Sequence, residues 1–236
     1  MKDQAHADPI SNPAIFYENP DIELASCEGE SECFAFTIDT RLDATGGLTG
    51  ADTTFAIPTS NASPYNWIIN WGDGTANQTI SGSGPNYSAG VSHTYPTTGT
   101  YRITIRPVTV TAGWFRAFGF YPNLTGANSN TNKYKFKAIN TPFTNSMRFA
   151  SSTIMNDTYR YLFYSCRNGE QIPAKLFSKL DTSNGTSFSS MFSNTFYNYA
   201  QNSTTATIPA GLFDSIDTSS GTDFNSMFFS TFSNYA

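Results

Sequence analysis

The chain has 236 residues, a formal net charge of −5, 13% charged residues and 15% aromatic residues. Only 13 residues are Lys or Arg, so there is no basic stripe to neutralise phosphates, which argues against nucleic-acid binding. No run approaches the roughly 20 apolar residues that span a bilayer, and Asn, Ser, Thr and Gly stand in for the missing charges, as in β-rich, loop-rich extracellular folds more than in cytosolic enzymes.

Residues 1–32 are polar, with Pro9, Pro13 and Pro20 among several acids, and read as an extended lead-in. The first residues lack the apolar stretch of a secretion signal. Cys27 and Cys33 are close enough in sequence for a local disulfide, which would imply an oxidising compartment; two free thiols are the other reading. Cys166 reads as a small packed side chain rather than a nucleophile. His6 and His93 are far apart and there is no CxxC pair, so neither a metal nor a cofactor is expected.

From Cys33 the pattern alternates. Phe34, Phe36 and Ile38 predict a strand with one buried face. Further strands are predicted over 53–57, 66–71, from Thr79, over 91–95 and over 100–106, with Gly and Pro turns between them. Several short strands over residues 33–110 indicate a β-sandwich. Trp67 and Trp71 fall on one strand face and are assigned to its core. Asp73, between two glycines, suits a tight turn whose carboxylate accepts backbone amides. His93 is expected to hydrogen-bond backbone, since no catalytic partner for it is identifiable.

Trp71-Gly-Asp-Gly-Thr75, then Ser92-His-Thr-Tyr95, Gly99-Thr-Tyr101 and an alternating final strand resemble the signature of PKD-type, Ig-like domains. The resemblance implies an extracellular spacer or contact module rather than a catalyst.

Residues 111–154 are expected to connect the sandwich to a repeat array and to cap its first unit. Within them, Trp114 to Tyr121 is a short aromatic run. Lys133, Lys135 and Lys137 alternate with apolar residues and are expected to share the outer face of a strand.

The last third is repetitive. Residues 172–200 recur at 208–236, offset by 36, with 19 of 29 positions identical. A period of this size marks a repeat array in which units bury their apolar faces against each other. A divergent earlier unit aligns Tyr159, Leu162, Phe163 and Cys166 with Phe188, Met191, Phe192 and Thr195, and with Phe224, Met227, Phe228 and Thr231. The spacing i, i+3, i+4, i+7 predicts one face of a short helix, with Thr186 and Thr222 as N-caps. The second copy stops in phase with Ala200, leaving an uncapped edge through which chains could associate with one another.

The run Asp181-Thr-Ser-Asn-Gly-Thr, with Phe188-Ser-Ser-Met-Phe192 and Leu162-Phe-Tyr-Ser-Cys166, resembles the BspA-type leucine-rich repeat of bacterial surface proteins. Gly185 and Gly221 stand where that family usually has Val, Phe188 and Phe224 where it has Met, and Thr195 and Thr231 where it has Cys. The resemblance implies a secreted or cell-surface adhesin.

The expected architecture is therefore mainly β with short helices: an Ig-like β-sandwich followed by a short leucine-rich-repeat-like solenoid over 155–236. The expected function is a non-enzymatic bacterial adhesin, extracellular or on the cell surface, binding a protein or glycan. Tyr197, Asn198 and Tyr199, with Asn234 and Tyr235, are the candidate contact residues, because Tyr and Asn supply rigid area and adaptable hydrogen bonds. Packing of Tyr199 and Tyr235 between units is the competing reading. The alternative function is a structural subunit of a surface fibre or layer, built by stacking of repeats.

Overall fold

The structure is a computed structural model that describes residues 27, 32–58, 64–83, 90–109, 119–120, 122, 126–144, 159–198 and 208–233. The expected lead-in over 1–32 apart from Cys27 and Glu32, most of the aromatic run 114–121, and the candidates Tyr199, Asn234 and Tyr235 lie outside the described residues.

The fold is mainly β with one short helix. The strands are β1 (Phe34–Asp39), β2 (Thr54–Ile57), β3 (Pro64–Asn70), β4 (Gln78–Ser83), β5 (Val91–Thr94), β6 (Thr100–Pro107) and β7 (Phe136–Ile139). Helix α1 spans Asn130–Tyr134, with Ser129 Oγ accepting the Asn132 amide as its N-cap. Five strands form one antiparallel sheet in the order β4-β3-β6-β1-β7, and β2 pairs with β5.

Alternation places Tyr65, Trp67 and Ile69 of β3 on one buried face, and Trp71 just beyond continues it. Strand β1 departs from the expected single buried face. It lies between β6 and β7, and Ala35 on its second face is buried beside Cys27 and Cys33. Those two cysteines are joined by a disulfide, with their Cα atoms 5.4 Å apart.

The Gly-Asp-Gly-Thr turn after β3 needs its first glycine. Gly72 has φ of 78°, and a Cβ there would lie 2.3 Å from the Arg102 carbonyl oxygen. Asp73 Oδ1 accepts the amide and hydroxyl of Thr75, as the turn reading expects. The reading of His93 is corrected. Its Nε2 meets Asp73 Oδ2 at 2.7 Å instead of backbone, and its ring stacks on Trp71 at 4.8 Å. The pair pins β5 to the turn that precedes β4.

The lysine row is also corrected. Residues 130–134 close into α1, so β7 begins only at Phe136 and the three lysines share no face. Lys133 and Lys135 are buried. Lys135 Nζ pairs with Asp52 at 2.6 Å and donates to the Thr54 carbonyl at 2.5 Å. Lys137, in β7, lies 3.3 Å from Glu170.

Strand β7 has two roles. One edge pairs with β1. The other edge meets the repeats, with Ile139 N donating to the Gln171 carbonyl and Glu170 N to that of Lys137. Phe136 and Phe143 both contact Phe163 of the first unit. One apolar cluster consequently runs without a break from Phe34 to Met227.

The repeat segments are not helical, which corrects the expected short helices. Each is a succession of turns with left-handed residues at matching places, such as Ser165, Asn194 and Ser230 (φ 60°, 53° and 53°). Backbone donors alternate. Met191, Ser193 and Thr195 donate three residues back within the unit. Phe188, Ser190, Phe192 and Asn194 donate to carbonyls of the following unit, at 2.8–2.9 Å. A helix would require all of these amides to donate within the segment. The bonds between units displace it, while the same four positions remain buried in the first two units. Thr222, expected as a helix cap, instead donates to the Thr186 carbonyl of the preceding unit through both its amide and its hydroxyl.

Aromatic rings stack in register across the units. Tyr159, Phe188 and Phe224 form one column, with interplanar angles of 4° at both steps. Phe163, Phe192 and Phe228 form another. Gly185 fits under the first column because a Cβ there would meet the Tyr159 ring at 2.7 Å. An aromatic ring in place of the resembled family's Met thus goes together with Gly in place of its Val. Thr195 and Thr231 donate their hydroxyls to the carbonyls of Phe163 and Phe192 in the preceding units. Cys166 stands at the same place in the first unit, with no preceding repeat among the described residues.

A candidate ligand-binding groove

A groove of about 580 Å³ opens where α1 meets the face of the three units. Position 165 of the first unit, 194 of the second and 230 of the third are equivalent, so Ser165, Asn194 and Ser230 line it as one row. Their shared left-handed backbone turns the chain at the same point in each unit. Three tyrosines, Tyr134, Tyr164 and Tyr197, with Arg167, Asn130 and Pro122, complete the lining.

The walls are held from below. Asn168, fully buried, donates its amide to the carbonyls of Tyr134 at 2.9 Å and Asp43 at 2.8 Å. Asn198 Nδ2 donates to Asn168 Oδ1 at 2.8 Å, and Asn198 N donates to the Arg167 carbonyl. This chain of amides ties the second unit, the first unit and the end of α1 together. Asn198 is thereby corrected from a contact residue to a buried support. Its neighbour Tyr197 is the contact candidate that reaches the groove.

Two cations bear on the site. Arg167 lies 4.5 Å over the Tyr197 ring. Lys133 sits behind the wall, 5.2 Å from the Tyr164 ring centroid. Burial brings the Lys133 ammonium down to about 8, against the opposing pull of Cys166. Burial in turn pushes the Cys166 thiol well above its ordinary range, which favours the protonated thiol. No Asp or Glu lines the groove.

Among the described residues no three or more His, Cys, Asp or Glu side chains converge as a metal set would, and no helix is long and apolar enough to cross a membrane. The Asp73–His93 pair is the nearest approach to catalytic machinery, and within the described residues it carries no bonded nucleophile.

The groove was not foreseen from sequence, apart from Tyr197. Its walls come from positions 130–134, 164–167, 194–197 and 230, which the fold alone brings together. The alignment of Ser165, Asn194 and Ser230 at one place in the unit was the signal that could have found its floor. Comparison of the chain with family models, curated proteins and solved structures finds no match to any of them.

Proposed function

We propose that the chain is a bacterial cell-surface or secreted interaction protein without catalytic activity, in which an Ig-like sandwich of the PKD type carries a short leucine-rich-repeat-like solenoid. Its groove contacts an extracellular protein or glycan. The observation that carries this reading is the groove itself: three tyrosine rings, an arginine and a row of polar side chains on rigid, cross-bonded backbone. Tyr and Asn at a rigid surface give contact area and hydrogen bonds at low ordering cost. Two antiparallel sheets with the Gly-Asp-Gly-Thr turn support the sandwich, and the stacked, mutually bonded units support the solenoid. The Cys27–Cys33 disulfide supports an oxidising compartment.

The test is a screen of the protein and of Tyr197→Ala on glycan and protein arrays. Binding that the substitution weakens is expected. Ligands bound equally by both proteins would remove the groove from the reading.

A second reading, a fibre or layer subunit, is favoured by the last unit. Phe224, Phe228 and Phe229 are exposed there by 43%, 46% and 63%. At the first unit, however, β7 and Phe120 occupy the corresponding edge, so a repeat-on-repeat joint would have to displace them. Light scattering across a concentration series distinguishes the two. Growth into long species would favour the fibre, and a constant monomer mass would exclude it.

A further inference from the structure

We infer that the groove takes a linear acidic glycan, with a uronate carboxylate seated on Arg167 and sugar faces laid on Tyr197 and Tyr164. This rests on the groove being the contact surface and names the ligand class.

Arg167 carries the inference. Its guanidinium makes no ion pair and no side-chain hydrogen bond among the described residues, and its Nε is buried without a partner. Buried Lys135, by contrast, is paired with Asp52. A half-buried guanidinium left without an anion is costly, and the cost is recovered when one arrives. Its planar fork matches a carboxylate bidentately. The side chain is steadied for that role by the Tyr197 ring beneath it and by backbone bonds on either side, from its own amide to Ser165 and from Asn198 to its carbonyl.

The rest of the groove suits a sugar chain better than a peptide. Tyrosine faces accept the flat C–H faces of pyranose rings. The polar row at 165, 194 and 230 recurs once per unit, and units bonded through backbone are about 4.8 Å apart. Hydrogen-bonding groups thus repeat along the groove at about the length of one sugar residue. The absence of Asp and Glu from the lining, in a chain of net charge −5, leaves the groove locally positive.

The experiment is calorimetric titration of the whole chain with oligogalacturonate, its methyl ester and polyglutamate. Binding of the acid is expected, weakened by added salt. The ester should bind roughly ten- to a hundredfold more weakly, and polyglutamate should not compete. Arg167→Gln should reduce acid binding to the level of the ester, while Arg167→Lys recovers only part of it. Tyr197→Ala should weaken acid and ester together. Equal binding of acid and ester to the unaltered protein overturns the carboxylate seat, whatever the variants do, and leaves the groove reading standing if Tyr197→Ala still weakens both. No binding of any glycan, or preference for polyglutamate, overturns the glycan class. Loss of the groove reading itself would show separately, as array ligands indifferent to Tyr197→Ala.

Discussion

Phe192 and Phe228 occupy the same place in successive units, their rings 6.0 Å apart and 5° from parallel, yet Phe192 is buried and Phe228 is 46% exposed. The same substitution should therefore have unequal costs. Phe192→Ala removes the middle ring of a column and leaves a cavity, at about 3–5 kcal/mol. Phe228→Ala trims the end of the column and should cost roughly 1–2 kcal/mol. Urea unfolding of both variants measures the difference; equal losses would contradict the stacked arrangement.

Gly72→Ala should destabilise by about 3 kcal/mol or more. The new Cβ meets the rigid Arg102 carbonyl of β6, and the left-handed backbone penalises any side chain. Gly74→Ala is the control. It shares the positive φ but has nothing within 4 Å, so it should cost only about 1 kcal/mol. Thermal melts of the two variants separate collision from backbone strain.

Lys133 should oppose folding at neutral pH. Its folded value of about 8 lies below its ordinary one, so between about 8 and 10 the unfolded chain holds more of its proton and its contribution to stability rises with pH. Cys166, Tyr95 and Tyr159, all raised by burial, work in the opposite direction as pH climbs. Tyr95 and Tyr159 titrate in wild type and in Lys133→Met alike, whereas Cys166 loses the downward pull of the Lys133 ammonium in the variant and is raised further. The stability advantage of Lys133→Met should therefore be on the order of 2 kcal/mol at pH 7 and shrink towards zero near pH 10. An advantage that does not change with pH would show that the ammonium is not desolvated.

Asp39 should have the opposite sign. Burial alone would raise its carboxyl, but hydrogen bonds from Arg41 and Thr100 outweigh it and hold the group at about 2. Its stabilisation is complete above the ordinary aspartate range and is lost as pH falls through about 2. Asp39→Asn should cost about 2 kcal/mol at pH 7 and nearly nothing at pH 2, read from guanidinium unfolding at each pH.

The sequence made the strands and the repeat legible because both depend on short-range pattern. Alternation in Tyr65, Trp67 and Ile69 marked the buried face of β3, and the offset of 36 identified residues that stack, such as Phe188 and Phe224. It did not separate helix from consecutive turns in the repeats. Both arrangements bury positions i, i+3, i+4 and i+7, and what decides is whether Phe188 and Ser190 amides find acceptors in another unit. Lys133 and Lys135 were read as solvated because alternation carries no information about Asp52, more than 80 residues away, which pairs with one of them. The groove was illegible for a related reason: Tyr134, Arg167 and Ser230 meet only through tertiary packing.

The alternating amides give the central ladder of the repeats a direction. Phe188, Ser190, Phe192 and Asn194 all donate forward, so the last unit ends in amides: those of Phe224, Ser226, Phe228 and Ser230 have no partner among the described residues. Those amides are flanked by the Thr222 and Thr231 carbonyls, equivalent to the Thr186 and Thr195 carbonyls that accept from the third unit, so the border carries donors in its middle and acceptors on either side. Any strand that docks there must present carbonyls at every second residue, whatever its side chains. The order of donors and carbonyls along the third unit thus sets a backbone pattern that a docking strand would have to complement before its side chains count.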